Sequence, residues 1–272
     1  MKTNKRQIKE ISKYNVVIIS GASSGIGECF AEFVLNALNL AQAKAVVFNL
    51  SRSATKFDSL EYFNSIKCDL TNSTDLENAV EIIKAEITKV QKPRVLLINN
   101  AGFGAYGLFP MPSEEHNLRM IDLNVRALTS LTSKFLPLIT ANKGAIINIA
   151  STASFQACPY LSVYAATKAY VKSFTQAIAY ETNGKAKCLC VCPGSTSSMF
   201  FKTAGFDNAP LPSGFGHKPI DVVSKSFNAL AKGKNFIVVG KLNTFQAIIT
   251  SFIPRGLMLK ISGAILKKIR KV

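Results

Sequence analysis

Tyr164 and Lys168 stand four residues apart in the segment from Tyr160 to Tyr180, which reads as a helix, so both side chains share one face. A phenol at its ordinary pKa near 10 exchanges protons poorly at neutral pH, and an ammonium beside it favours the phenolate and lowers that pKa. Such a pair suits an acid/base that delivers a proton to an alkoxide as hydride reaches a carbonyl carbon. Ser151 lies thirteen residues before Tyr164, at the end of the apolar run AIINIA (145–150), where its hydroxyl could hold the same oxygen. Tyr-x-x-x-Lys alone is common by chance, and an exposed helix pair is the plain alternative. The serine at a strand end makes coincidence hard to sustain.

A second cluster suits phosphate. After the apolar run VVII (16–19) comes Ser20-Gly21-Ala22-Ser23-Ser24-Gly25-Ile26-Gly27, followed by a helical pattern. Gly21 allows a tight turn, Gly25 lets backbone amides approach a pyrophosphate, and Gly27 lets helix and strand pack closely. The helix start then offers N–H groups and a positive dipole end to the anion. The second run, AVVFNL (45–50), leads into Ser51-Arg52 with no acidic residue for a ribose 2′-hydroxyl. Arg52 can instead pair with a 2′-phosphate through its planar fork, which favours NADP(H), against the plain alternative of a surface arginine opening a loop. Asp69 is placed to cap an adenine pocket.

These residues need a scaffold. Further apolar runs lie at 95–98, 145–150, 188–192 and 236–239. Between runs, Ile26, Phe30, Phe33, Val34 and Ala37 keep helical spacing, as do Leu76, Val80, Ile83, Ile87 and Val90, with Thr74 and Glu77 forming a capping box for the latter. Near-continuous apolar strands alternating with helices predict an α/β, doubly wound Rossmann-type parallel sheet of about seven strands, helices on both faces, with ligands at the strands' carboxyl ends. Residues 1–240 form one such unit in this reading, and 241–272 a basic amphipathic extension.

Taken together, SGASSGIG (20–27), NNAG (99–102), Asn124 within DLNV, Ser151, YAATK (164–168) and CPG (192–194) make the chain resemble the short-chain dehydrogenase/reductase family, in its compact branch, from about Asn15 to Val239. The resemblance implies a catalytic tetrad of Asn124, Ser151, Tyr164 and Lys168, with Asn124 holding a water that relays protons to Lys168. It implies that the turn containing Asn100, Ala101 and Gly102 supports the sheet and lines the adenosine ribose. Pro193, Gly194 and Thr196 would close over the nicotinamide carboxamide, with Ser198 competing with Thr196. It also implies a homo-oligomer built through the Tyr164 helix and its neighbour. Ser20 stands where threonine is more frequent, and Ala150 where a second serine is common.

Composition bounds the rest. The 272 residues carry a formal charge of +17. Residues 1–15 hold five basic and one acidic residue, and residues 255–272 six basic and no acidic ones, so the excess sits largely on the ends and not along one groove. Nucleic-acid binding therefore ranks last. Six cysteines, three alternating as CLCVC, read as reduced and half-buried, and two histidines, His116 and His217, make a metal site improbable. No run reaches the roughly 20 apolar residues of a membrane span, and the location expected is cytoplasmic. The stretch 242–253 suits self-packing or oligomerisation, and 255–272 suits peripheral contact with an anionic membrane. A lid between Ser195 and Pro219, rich in Met199, Phe200, Phe201, Phe206, Leu211 and Phe215, joins Phe103, Tyr106, Leu108 and Phe109 as candidates to line an apolar carbonyl substrate pocket. The function expected is an NADP(H)-dependent oxidoreductase. The alternative is a catalytically silent NADP(H)-binding sensor of the same fold.

Overall fold

A computed structural model describes residues 3–196, 216–250 and 252–270. Seven parallel strands form one sheet in the order β3-β2-β1-β4-β5-β6-β7. They are β1 (Val16–Ser20), β2 (Val46–Ser51), β3 (Phe63–Lys67), β4 (Val95–Asn99), β5 (Ala145–Ile149), β6 (Lys187–Cys192) and β7 (Phe236–Val238). β1, β4 and β5 are buried at every position, as expected of strands covered on both faces.

Alternation within each strand sends successive side chains into two cores. On one face Val17, Ile19, Leu96 and Ile98 pack against α1 (Lys5–Ile11), α2 (Gly25–Ala41) and α7 (Pro219–Ala231). Phe33 of α2 stacks on Phe227 of α7 with ring centroids 5.4 Å apart. On the other face Val16, Ile18, Leu97 and Ile146 meet α3 (Ser73–Ile87), α5 (Leu128–Ala141) and α6 (Ser162–Glu181). Between α4 (Glu114–Ile121) and α5 the helix widens into a π-helical turn, Asp122–Ala127. α8 (Lys241–Ile249) and α9 (Arg255–Arg270) follow β7.

Two local expectations change, and one further element appears. The cap of α3 is Asn72, whose side chain accepts from the Thr74 and Asp75 amides, so Thr74 lies inside the helix and not at its cap. α6 starts at Ser162, because Tyr160 takes a left-handed φ of 65° that a helix cannot contain. The basic N-terminal segment carries a helix. Asn4 and Gln7 form a capping box that opens α1, and Gln7 Nε2 also donates to the Ser224 carbonyl at 2.9 Å.

Register aligns the site. Ser20 pairs with Leu50 on one side and Asn99 on the other, and Asn99 pairs with Asn148. The carboxyl ends of β2, β1, β4 and β5 therefore form one edge, and strand order reverses between β1 and β4, where a crevice opens.

Candidate active site

A cleft of about 970 Å³ runs along that edge. At its centre the glycine loop is braced by side chains from neighbouring strands. Gly21 adopts φ +75°, and its amide donates to the Leu50 carbonyl at 2.8 Å. A Cβ on Gly27 would overlap the Gly21 carbonyl, so close contact between helix and loop requires glycine there. Asn100 Nδ2 donates to the carbonyls of Ser20 (3.1 Å) and Gly21 (3.2 Å), and Ser20 Oγ accepts from the Asn100 and Ala101 amides, each at 3.0 Å. Buried Asn49 accepts from the Ala22 amide at 3.0 Å. Ser24 occupies the N-cap of α2 without a side-chain cap bond, and Ser23, Gly25 and Ile26 line the cleft at the helix's positive end. This cradle fits a pyrophosphate.

Beyond β2, Arg52 is exposed on the cleft wall, near Asp69 and Arg119. Asp69 Oδ1 accepts from the Thr71 amide and hydroxyl, and Oδ2 meets Arg119 Nη2 at 3.3 Å. Burial opposes its charge, but the Thr71 bonds and the Arg119 and Arg52 guanidiniums hold its carboxyl below the usual range. Arg119 was not foreseen. Its surface position on α4 carries no motif, and only the fold brings it beside Asp69.

On the other side Ser151, Tyr164 and Lys168 line the same cleft. The Ser151 and Tyr164 side chains are hydrogen-bonded. Ser151 Oγ also accepts from the Ala153 amide at 3.1 Å, which fixes its rotamer at the start of a 3₁₀ turn (Thr152–Phe155). Lys168 is buried, donates to the Ile149 carbonyl at 2.9 Å, and holds its Nζ 5.9 Å from the centre of the Tyr164 ring. Burial pushes the Tyr164 phenol up to about 12, partly offset by the Ser151 bond, and pushes Lys168 down to about 8. The expected lowering of the tyrosine is thus reversed in this structure. Removal from water penalises the charged form of each group and is the largest cause of both shifts.

Asn124 projects from the π-helical turn and is almost fully buried. Its Nδ2 donates to the Phe103 carbonyl (2.9 Å) and Thr167 Oγ1 (3.0 Å), and its Oδ1 accepts from the Phe103 amide (3.1 Å). Gly102 packs tightly against it, since a Cβ there would fall 2.8 Å from Asn124 Oδ1 and 3.3 Å from Lys168 Nζ. The π-turn, Gly102 and the lysine thus form one packed unit.

Pro193, Gly194 and Thr196 line the cleft beyond β6. Thr196 is buried, donates to the Gly194 carbonyl at 3.0 Å and bridges to His217. Ser198 and the lid residues Met199, Phe200, Phe201, Phe206, Leu211 and Phe215 lie outside the described residues. Phe103 does line the cleft, but Leu108 and Phe109 are exposed on the surface. The cleft's remaining wall comes from α8 and α9, including Gln246, Ile249, Met258 and Ser262. Ser262 Oγ donates to the Ala157 carbonyl at 3.2 Å, and Tyr106 donates its hydroxyl to the Leu266 carbonyl at 3.4 Å. The tail's apolar spacing was legible, but its position over the cleft was not. For 242–253 self-packing is the weaker description, because only Ala247 of α8 is buried.

Residues 15–208 match the short chain dehydrogenase family. The chain belongs to that family. Short-chain dehydrogenases are oxidoreductases that use a nicotinamide coenzyme, which the glycine cradle and helix terminus fit. A 3-ketodihydrosphingosine reductase of Bacteroides thetaiotaomicron is 29% identical over 68% of this chain. The chain spans 65% of that relative's own length, less than two thirds. An NADP-dependent 3-hydroxy acid dehydrogenase of Salmonella typhi is 32% identical over 70% of this chain and 76% of its own. A short-chain dehydrogenase from Sphingobium yanoikuyae in complex with NADPH superposes with a TM-score of 0.71 at 28% identity, covering 89% of this chain and 94% of the other. Among the described residues no helix is long and apolar enough to cross a membrane. All six cysteines are buried free thiols, with Cys190 and Cys192 Sγ atoms 3.9 Å apart on one strand face.

Proposed function

We propose that this short-chain dehydrogenase interconverts a carbonyl and a secondary alcohol on an apolar small molecule, with NADP(H) as coenzyme and Tyr164 as the general acid/base. The observation that carries the reading is the hydrogen-bonded Ser151–Tyr164 pair, with buried Lys168 alongside, at the end of the cleft opposite Arg52. When bound, the coenzyme supplies or accepts the hydride equivalent. Ser151 and Tyr164 would hold the substrate oxygen between two hydroxyls. In reduction the Tyr164 phenol, protonated at pH 7 and held more firmly so by burial, gives its proton to the alkoxide as it forms. Lys168 stabilises the resulting phenolate, and Asn124 packs beside Lys168 around Gly102.

Arg52 and the absence of an acidic residue at the end of β2 support NADP(H) over NAD(H). Arg119, salt-bridged to Asp69, adds positive charge at the same edge. The apolar residues Met258, Ile261 and Ile265 on the cleft wall support an apolar substrate. The test is fluorescence titration of the purified protein with NADPH and NADH, followed by a panel of apolar ketones and aldehydes under NADPH. Tighter NADPH binding with oxidation on a panel member is expected. Binding without turnover on any member would favour a sensor, and no binding of either coenzyme would overturn the reading.

A further inference from the structure

The tail helices face two ways. On the inside, α9 seats Met258 and Ser262 against the body, and Gly263 approaches Pro159 so closely that a Cβ would lie 3.3 Å from its Cγ. On the outside, Phe245 is 63% exposed and Phe252 81%, and Leu242, Ile248 and Leu257 are exposed beside them. The two surfaces meet at the cleft mouth. Ile249, Ile261 and Ile265 line the cleft and yet remain 37%, 36% and 49% exposed. Both tail helices therefore carry exposed apolar side chains, and three of these also line the cleft that holds Tyr164.

The charge around this surface is of one sign. Residues 241–272 contain seven basic residues and no acidic ones, and exposed Arg255, Lys260 and Lys267 lie on α9 itself. A second copy of the chain docked on this face would bring two all-positive helices together. An anionic lipid surface offers both what the patch lacks, hydrocarbon for the aromatic and aliphatic side chains and negative charge for the lysines.

We propose that α8 and α9 dock on the surface of an anionic bilayer, with the cleft mouth turned to the lipid, so that an apolar carbonyl substrate passes from the bilayer into the cleft. The docking stands on the surface alone. The substrate route rests on the oxidoreductase reading above.

The test is co-flotation of the full-length protein with vesicles of phosphatidylcholine alone and of phosphatidylcholine with phosphatidylglycerol, a readout independent of turnover. Preferential flotation with the anionic vesicles is expected. K260E/K267E should weaken it at least about tenfold, given roughly 1 kcal/mol per basic residue near such a surface. F245S/F252S should weaken it with neutral and anionic vesicles alike. Both double variants alter exposed side chains, and their thermal unfolding should match the parent. With activity in hand, both should keep their rate on a short water-soluble ketone and lose rate on a long-chain ketone presented in vesicles. Failure of the parent protein to float with anionic vesicles would overturn the docking, whatever its activity. A dimer that F245S/F252S converts to monomer, without flotation, would assign the face to a second copy and overturn it too. Flotation with equal rates for parent and variants on the vesicle-borne ketone would overturn the substrate route.

Discussion

At Tyr164 and Lys168, burial acts on two groups of opposite charge type and makes both more neutral. The phenol is held up to about 12 and the amine down to about 8, so near neutral pH the phenol keeps its proton while the lysine stands close to its titration. Tyr164→Phe removes the transferable proton together with the hydroxyl's bond to Ser151. Turnover is expected to fall by roughly 10²–10⁴-fold, with NADPH affinity changed only a few-fold, as read by steady-state kinetics and fluorescence titration. Lys168 is protonated below about 8 and neutral above it. The kcat/KM for reduction should therefore decline as pH rises through that region, and Lys168→Arg should move the decline to higher pH. A profile unchanged by Lys168→Arg would take the lysine out of that role. At the other end of the cleft, Arg52→Ala should weaken NADPH about 10–100-fold, the size of a lost charge-assisted contact, and NADH much less. Equal losses in the two titrations would undo the coenzyme assignment.

At the element scale, the glycine loop and its support were largely legible because glycine spacing reports backbone requirements directly. Gly21 and Gly27 do what their positions suggest. The cap of α3 was misplaced by two residues because Asn72, Thr74 and Asp75 all have cap chemistry, and only backbone geometry decides which side chain faces the free amides. The π-helical turn around Asn124 was invisible, since a one-residue widening leaves no mark on hydrophobic periodicity. α1 was hidden by the five basic residues among positions 1–15, although its buried Glu10 anchors it. Glu10 accepts from Tyr14 at 2.8 Å and pairs with Lys13 at 2.7 Å and with Lys187 of β6. Burial works against its charge, but the Lys13, Lys187 and Tyr14 bonds prevail and hold its carboxyl below the ordinary value of 4.5. Its stabilising contribution is complete above that value and is lost as pH falls through the depressed one. Glu10→Gln should destabilise the fold by about 1–3 kcal/mol at pH 7, and the deficit should shrink on acidification. Thermal unfolding across pH 3–7 checks this, and a deficit independent of pH would mean that packing, not charge, links α1 to the sheet.

Over the whole molecule, the doubly wound parallel sheet followed from alternating strand and helix patterns, but the relation of the tail to the cleft did not. Leu257, Ile261 and Ile265 repeat every four residues whether the helix covers a core, a partner or a ligand, so their spacing is silent about what they face. The contacts that decide it are few and distant in sequence, namely Gly263 on Pro159, Ser262 on Ala157 and Leu266 on Tyr106. Gly263→Val would wedge α9 away from Pro159. Its expected effect is a several-fold rise in KM for bulky ketones with NADPH affinity unchanged, and parallel changes in both measurements would mean that α9 braces the coenzyme half as well.

The division of labour along the cleft also has an evolutionary side. The residues proposed to hold the coenzyme precede Gly194 or lie close to it in sequence, whereas a large part of the remaining cleft wall comes after Gly240. Of α8, only Ala247 is buried, so residues there can be exchanged without disturbing the two cores of the sheet. Selection for a new substrate can thus act on the last segment of the chain as on a separate module, while the hydride chemistry is inherited intact.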